Sequence, residues 1–168
     1  VSLTMSSERA FGSRLMVRGF LLNNQLTDFA YLPRRNGRPV ANAVAPGKRP
    51  RSSMSPTLVI DREGELFATV GSPGGSRIIT FVVKTLIGLI DWKLDMQAAI
   101  DLPTHVNRNG TTELEKGTQL EARADALRRL GHQVRIRTLT SGLHGVRVTP
   151  HGYDGGADKR REGVALGD

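Results

Sequence analysis

Gly71-Ser72-Pro73-Gly74-Gly75-Ser76-Arg77 joins one apolar run, Leu66-Phe67-Ala68-Thr69-Val70, to another, Ile78 to Trp92. The first run is short and rich in β-formers, so it reads as a strand; the second is too long for an ordinary strand and reads as a helix. Between them stand two adjacent glycines. Lacking a Cβ, each tolerates a positive φ and the close approach of a ligand, so two backbone N–H groups can turn toward one point. Beside a helix start those amides lie where partial positive charge gathers. The loop is therefore a candidate anion site. The phosphate patterns Gly-x-Gly-x-x-Gly and Gly-Lys-Ser/Thr are absent, which favours the oxyanion of an acyl-transfer intermediate over a phosphate.

Working outward, Thr57-Leu58-Val59-Ile60 and Leu66 to Val70 flank the polar turn Asp61-Arg62-Glu63-Gly64, a hairpin signature. Asp95 to Asp101 predicts a short helix stopped near Pro103, Glu113 to Glu115 an edge strand, Leu120 to Leu130 a helix ended by Gly131, and Val134 to Thr138 a strand. Further short strands are expected over Val146-Arg147-Val148 and the tail through Asp158, as an outer layer. Upstream, Val1 to Ser6 alternates apolar and hydroxyl residues, the pattern of a half-buried strand, and Phe20-Leu21-Leu22 reads as a short strand ending in polar residues. Tyr31 to Arg51, rich in Pro, Gly, Arg and Asn, reads as a long irregular loop. The residues themselves define a mixed α/β chain, read as a single domain over 1–168.

Composition narrows the function classes. With 168 residues and 38% hydrophobic content there is enough material for a core. No apolar run reaches bilayer-spanning length, which argues against a membrane protein. There is no cysteine, so thiolate catalysis and disulfides are excluded, while an oxidising compartment and the cytosol remain equally open. The four histidines, His105, His132, His144 and His151, show no metal-ligand spacing, and neither a metal nor a cofactor is expected. A net charge of +8 raises nucleic acid as a partner, but the basic residues are scattered and there are only two Tyr and one Trp. An acidic partner chain suits that charge better.

Several motifs taken together carry a family resemblance. Phe20-Leu21-Leu22-Asn23-Asn24-Gln25 with Asp28-Phe29, Asn42-Ala43-Val44, Pro46-Gly47-Lys48-Arg49-Pro50-Arg51-Ser52-Ser53-Met54-Ser55-Pro56-Thr57, Gly71 to Arg77, and Gly155-Gly156-Ala157-Asp158 occur in this order. Together they resemble the small-subunit region of the γ-glutamyltransferases (γ-glutamyltranspeptidases), which are N-terminal-nucleophile hydrolases. The resemblance implies a four-layer αββα sandwich, incomplete at its N-terminus. It also implies a self-cleaving precursor whose large subunit is the partner of this chain, and a γ-glutamyl substrate such as glutathione. The family's Thr nucleophile is expected upstream of Val1, so this chain alone is expected to be inactive. A periplasmic or extracellular setting is implied in the same way.

Residue roles follow from the resemblance. Gly74 and Gly75 would form the oxyanion hole, Ser6 would support the nucleophile, and Gln25 and Asp28 would hold the substrate's α-amino group. Ser52 and Ser53 would receive its α-carboxylate. Glu8 stands where the better-known pattern has Asn, within the polar loop Ser6-Ser7-Glu8-Arg9-Ala10-Phe11-Gly12-Ser13. A carboxylate there can pair directly with an ammonium, or mark a different acyl group. An acylase or capsule-depolymerase relative, and a non-catalytic binding module, therefore stay open as alternatives. Missing upstream strands would leave an open sheet edge and exposed apolar surface, inviting pairing with another copy.

Overall fold

The computed structural model describes residues 1–8 and 12–167. It forms two compact units, one of residues 1–2 and 53–168 and one of residues 3–52.

The larger unit is built on an antiparallel sheet. Strands β5 (Thr57–Ile60) and β6 (Leu66–Gly71) form the expected hairpin. Asp61 closes it, its Oδ1 accepting from the amides of Glu63 and Glu65 at 3.0 and 2.8 Å. With β10 (His144–Thr149) and β11 (Gly152–Ala157) the sheet runs in the order β11-β10-β6-β5. The C-terminal segments are thus half of the main sheet, with β10 beside β6, rather than an outer layer. Their non-local pairing is invisible to local pattern.

Helices α1 (Ile78–Ile90) and α2 (Met96–Asp101) cover one face of this sheet. On α1 the buried residues Ile78, Phe81, Val82, Thr85 and Leu89 recur at helical spacing, and Ala68 and Val70 of β6 join them in one cluster. The run Ile78 to Ile90 is apolar on nearly all sides, yet α1 is not enclosed on all of them. Ile79, Val83 and Ile90 are 52%, 46% and 42% exposed. Asp95 caps α2, its side chain accepting from the Ala98 amide at 2.7 Å. Gln97 then pairs both of its amide groups with the backbone of Ala157 on edge strand β11, each at 3.0 Å.

A second sheet contains β7 (His105–Val106), β8 (Thr112–Glu115) and β9 (Val134–Arg137), with β8 in the middle. β8 is wholly buried, antiparallel to β7 and parallel to β9. Its sequence suggests an edge because two glutamates fall within four residues, yet each has found an arginine partner. The parallel crossover runs through a 3₁₀ turn at Gln119–Arg123 and α3 (Ala124–Arg129).

The smaller unit holds two short ribbons. Strands β1 (Met16–Val17) and β2 (Phe20–Leu21) pair, as do β3 (Arg34–Arg35) and β4 (Arg38–Pro39) around Asn36-Gly37. Both turn residues have positive φ, 51° and 75°, the primed-turn geometry that Asn-Gly favours. The segment read as irregular therefore contains a hairpin whose signal was present in the sequence. The strand expected over Val1 to Ser6 does not form, and Val1, Leu3 and Met5 are exposed. Alternation alone makes no strand without a ladder of backbone bonds; here the Asn24 amide donates to the Ser6 carbonyl at 3.1 Å, yet residues 1–6 lie in no strand. The polar loop over Ser6 to Ser13 is described except at residues 9–11, which lie outside the described residues.

Candidate active site

β6 ends at Gly71, and a 3₁₀ turn over Gly75–Arg77 leads directly into α1. Gly74 has φ 140° and Gly75 φ 57°, both in the region that favours glycine. A Cβ on Gly74 would stand 2.6 Å from Cε2 of Phe81, so this position also needs the missing atom for space. Gly75 faces open space, with nothing within 4 Å of its ideal Cβ. The turn is closed by the Arg77 amide donating to the Gly74 carbonyl at 3.2 Å.

Two supports hold the loop. The first reaches Ser72, whose hydroxyl accepts from the Gly142 amide at 3.2 Å. The 141–143 segment is in turn bound to Asp158, which is fully buried and accepts from the Ser141 hydroxyl and, at 3.2 Å, from the Leu143 amide. Burial opposes ionisation of Asp158. The hydrogen bonds from Ser141, from the Arg160 and Leu143 amides and from the Arg160 side chain outweigh it, and hold its pKa below the ordinary value. Arg160 also pairs with Glu115 and spans the carbonyls at the end of α2.

The second support is ionic. Arg77 makes a bidentate pair with Glu113, Nε to Oε2 at 2.6 Å and Nη2 to Oε1 at 2.9 Å. Arg137 adds a bond to Oε1 at 3.1 Å. The Arg77 bond chiefly, with Arg137 behind it, lowers the Glu113 pKa to about 2 against the cost of burial. Arg108 donates to the Ser76 hydroxyl at 2.6 Å.

In the smaller unit, three predicted residues meet. The Gln25 amide oxygen accepts from the Ser6 amide at 3.0 Å, while its nitrogen donates to Asp28 Oδ2 at 2.7 Å and to the Ser6 hydroxyl at 3.3 Å. The Glu8 amide donates to Asn24 Oδ1 at 3.0 Å, bringing Glu8 beside the same 3₁₀ turn, Gln25–Asp28. Asn42 ties the following loop down, donating to the Asp28 carbonyl at 2.6 Å and accepting from the Arg51 amide at 2.8 Å. The Gln25 oxygen faces the Ser6 amide and its nitrogen faces Asp28, so the group of this pair suited to an ammonium is the Asp28 carboxylate. Ser52 is the last residue of the 3–52 stretch and Ser53 the first of the 53–168 stretch, and the Ser53 carbonyl accepts from the Ser55 hydroxyl at 3.1 Å. Sequence reasoning missed Glu113, Ser141, Gly142 and Arg160. Of these only the flanking Gly155 to Asp158 motif gave a signal. Among the described residues no group of three or more metal-ligating side chains stands together.

The γ-glutamyltranspeptidase family model matches residues 1–168, and the chain belongs to that family. It is 34% identical to the glutathione hydrolase proenzyme of Bacillus subtilis (strain 168), over 99% of this chain and 28% of that protein. It is 32% identical to the acylase ACY 1 proenzyme of Pseudomonas sp. (strain SE83), over 99% of this chain and 29% of that one. The γ-glutamyltranspeptidase of Pseudomonas nitroreducens, solved in complex with L-DON, superposes with a TM-score of 0.79 at 30% identity. That match covers all of this chain and 93% of the solved chain. The chain thus spans less than a third of the length of these curated relatives.

Proposed function

We propose that this chain supplies the oxyanion-stabilising loop and the γ-glutamyl-binding residues of an enzyme that cleaves the γ-glutamyl amide of glutathione-like compounds and passes the acyl group to water or an amine. The observation that carries the reading is the loop after β6, where Gly74 and Gly75 combine positive φ with a braced entry into α1. As a carbonyl becomes tetrahedral its oxygen gains negative charge. Preset amides at that point need no reorganisation, and one such donor contributes about 3 kcal/mol. The nucleophile is the N-terminal Thr that the resemblance implies, lying outside residues 1–168, with its own α-amine as base. Ser6 would support that group.

Gln25 and Asp28, with Glu8 nearby, would take the substrate's α-ammonium, and Ser52 and Ser53 its α-carboxylate. The Gln25–Asp28 hydrogen bond supports this, since it orients one carboxylate without neutralising it. By this reading the chain acts with a large subunit cut from the same precursor and is silent alone. Its sheet would be one layer pair of a four-layer αββα sandwich. On the face turned away from α1, Leu58 and Val146 share a side with Thr69, and Val148 with Tyr153. These apolar residues are 44%, 41%, 37% and 82% exposed, a surface suited to a second sheet or another subunit.

The test is hydrolysis of a γ-glutamyl anilide by the full-length protein. Turnover is expected, with Asp28→Asn raising KM for γ-glutamyl but not for glutaryl substrate, which has no ammonium. Absence of turnover, or equal effects on both substrates, rejects the reading. A second reading, an acylase of the same fold, is favoured by Glu8 and by the likeness to the acylase proenzyme. It predicts the glutaryl compound as the better substrate.

A further inference from the structure

Beside Arg77 an open cavity of about 410 Å³ is lined by Arg108, Gly110, Thr111, Glu113 and Arg135. Strand geometry explains the grouping. Arg135 and Arg137 are two apart on β9 and so share a face, and Glu113 on β8 is the register partner of Arg135. Arg108 arrives from the β7–β8 turn, which Asn107 shapes by accepting from the Asn109 amide at 2.8 Å and donating to the Gly110 carbonyl at 3.0 Å. Arg77 enters from the start of α1.

The charges do not balance. Four guanidiniums, those of Arg77, Arg108, Arg135 and Arg137, surround the single carboxylate of Glu113. Both Glu113 oxygens are occupied by Arg77, and Oε1 also by Arg137, so little acceptor capacity is left for Arg108, whose Nη2 is 3.8 Å away. Arg135 has no carboxylate partner among the described residues. Guanidinium forks match acid oxygens in pairs, and the volume is that of a small-molecule site rather than a docking plane.

We propose that this cavity binds a small anion with at least two acid oxygens, held by the free donors of Arg108 and Arg135 with the Thr111 hydroxyl at its wall. Phosphate and dicarboxylate oxygens offer the same chemistry, and the probes separate them. The purified full-length protein is titrated by calorimetry with inorganic phosphate and, separately, with succinate, against a chloride background of equal ionic strength. Saturable binding of one equivalent of either probe is expected, weakened at least tenfold in Arg135→Ala and in Arg108→Ala. Arg135→Lys, which keeps the charge and loses the fork, should fall between, and it replaces the alanine variant if that one does not fold. Binding of phosphate alone or of succinate alone supports the site and names its acid group. The proposal is overturned if neither probe binds beyond chloride, or if the arginine variants bind as tightly as the parent. It is equally overturned if Arg135→Glu weakens association with another polypeptide while neither probe binds, because the cavity would then be a protein interface.

Discussion

The amide of Gly142 donates to the hydroxyl of Ser72 at 3.2 Å, joining the head of the glycine loop to a segment 70 residues further along the chain. A Cβ on Gly142 would stand 2.8 Å from Cγ of Pro73 and 2.7 Å from Cδ of Arg161. The arginine can move aside, whereas the proline ring is fixed to the loop backbone. Gly142→Ala should therefore shift the loop itself. We expect kcat of the full-length protein on a γ-glutamyl anilide to fall at least tenfold while KM changes little, since about 1.4 kcal/mol of lost transition-state stabilisation suffices. Steady-state kinetics of the variant check this.

Gly74 and Gly75 should not respond alike to alanine. At Gly75 the only penalty is the left-handed backbone, about 1–2 kcal/mol, because nothing crowds its ideal Cβ. At Gly74 the new carbon would meet the Phe81 ring, which is 1% exposed and has nowhere to go. Overpacking of this kind adds about 1–3 kcal/mol to the backbone cost. Urea unfolding should rank Gly74→Ala below Gly75→Ala, and the two below the parent.

Glu113 makes stability depend on acid. Its folded pKa is held near 2 and its ordinary value is 4.5, so the unfolded chain takes the proton first as pH falls. The contribution is complete above pH 4.5 and is lost between there and about pH 2. Glu113→Gln should remove that acid dependence and cost about 3 kcal/mol at neutral pH, as expected when one partner of a buried ion pair is lost. Denaturant midpoints measured from pH 7 to pH 2 decide it.

Lys84 acts at the other end of the scale. Burial chiefly, and then the nearby Arg160 charge, lower its pKa to about 8, although its Nζ donates to the carbonyls of Ile100 and Leu102 at 2.8 and 2.7 Å. The unfolded chain keeps this proton up to about 10.5, so the lysine makes the fold more stable as pH rises from 8 to 10.5. Below pH 8 its charge is a standing cost. Melting temperature should rise with pH across that window in the parent relative to Lys84→Met, and a parallel pair of curves would refute the assignment.

Much of the candidate site was legible because its parts lie close together in sequence. Gly74-Gly75 between a strand and a helix, and Gln25-Leu26-Thr27-Asp28 at a strand end, are local patterns. So was Asn36-Gly37, a hairpin signal hidden in a segment that reads as loop. Glu113 was not legible as the partner of Arg77, because 36 residues separate them and a four-residue strand with two glutamates looks like an edge. The strand over Val1 to Ser6 fails for the reverse reason, having the pattern but, among the described residues, no strand paired with it.

The sequence by itself determined the family, the hairpin that delivers the glycine loop, the helix that follows, and the residue types of the Gln25–Asp28 turn. Each of these depends on backbone propensity or on residues within a few positions of one another. Only the tertiary structure decided that β10 lies beside β6 and that Asp158 orders Ser141 to Leu143. It alone decided that four arginines gather round Glu113. Pairings of that kind arise when the chain closes long loops to bury apolar surface, and the charges must then find partners wherever packing has left them.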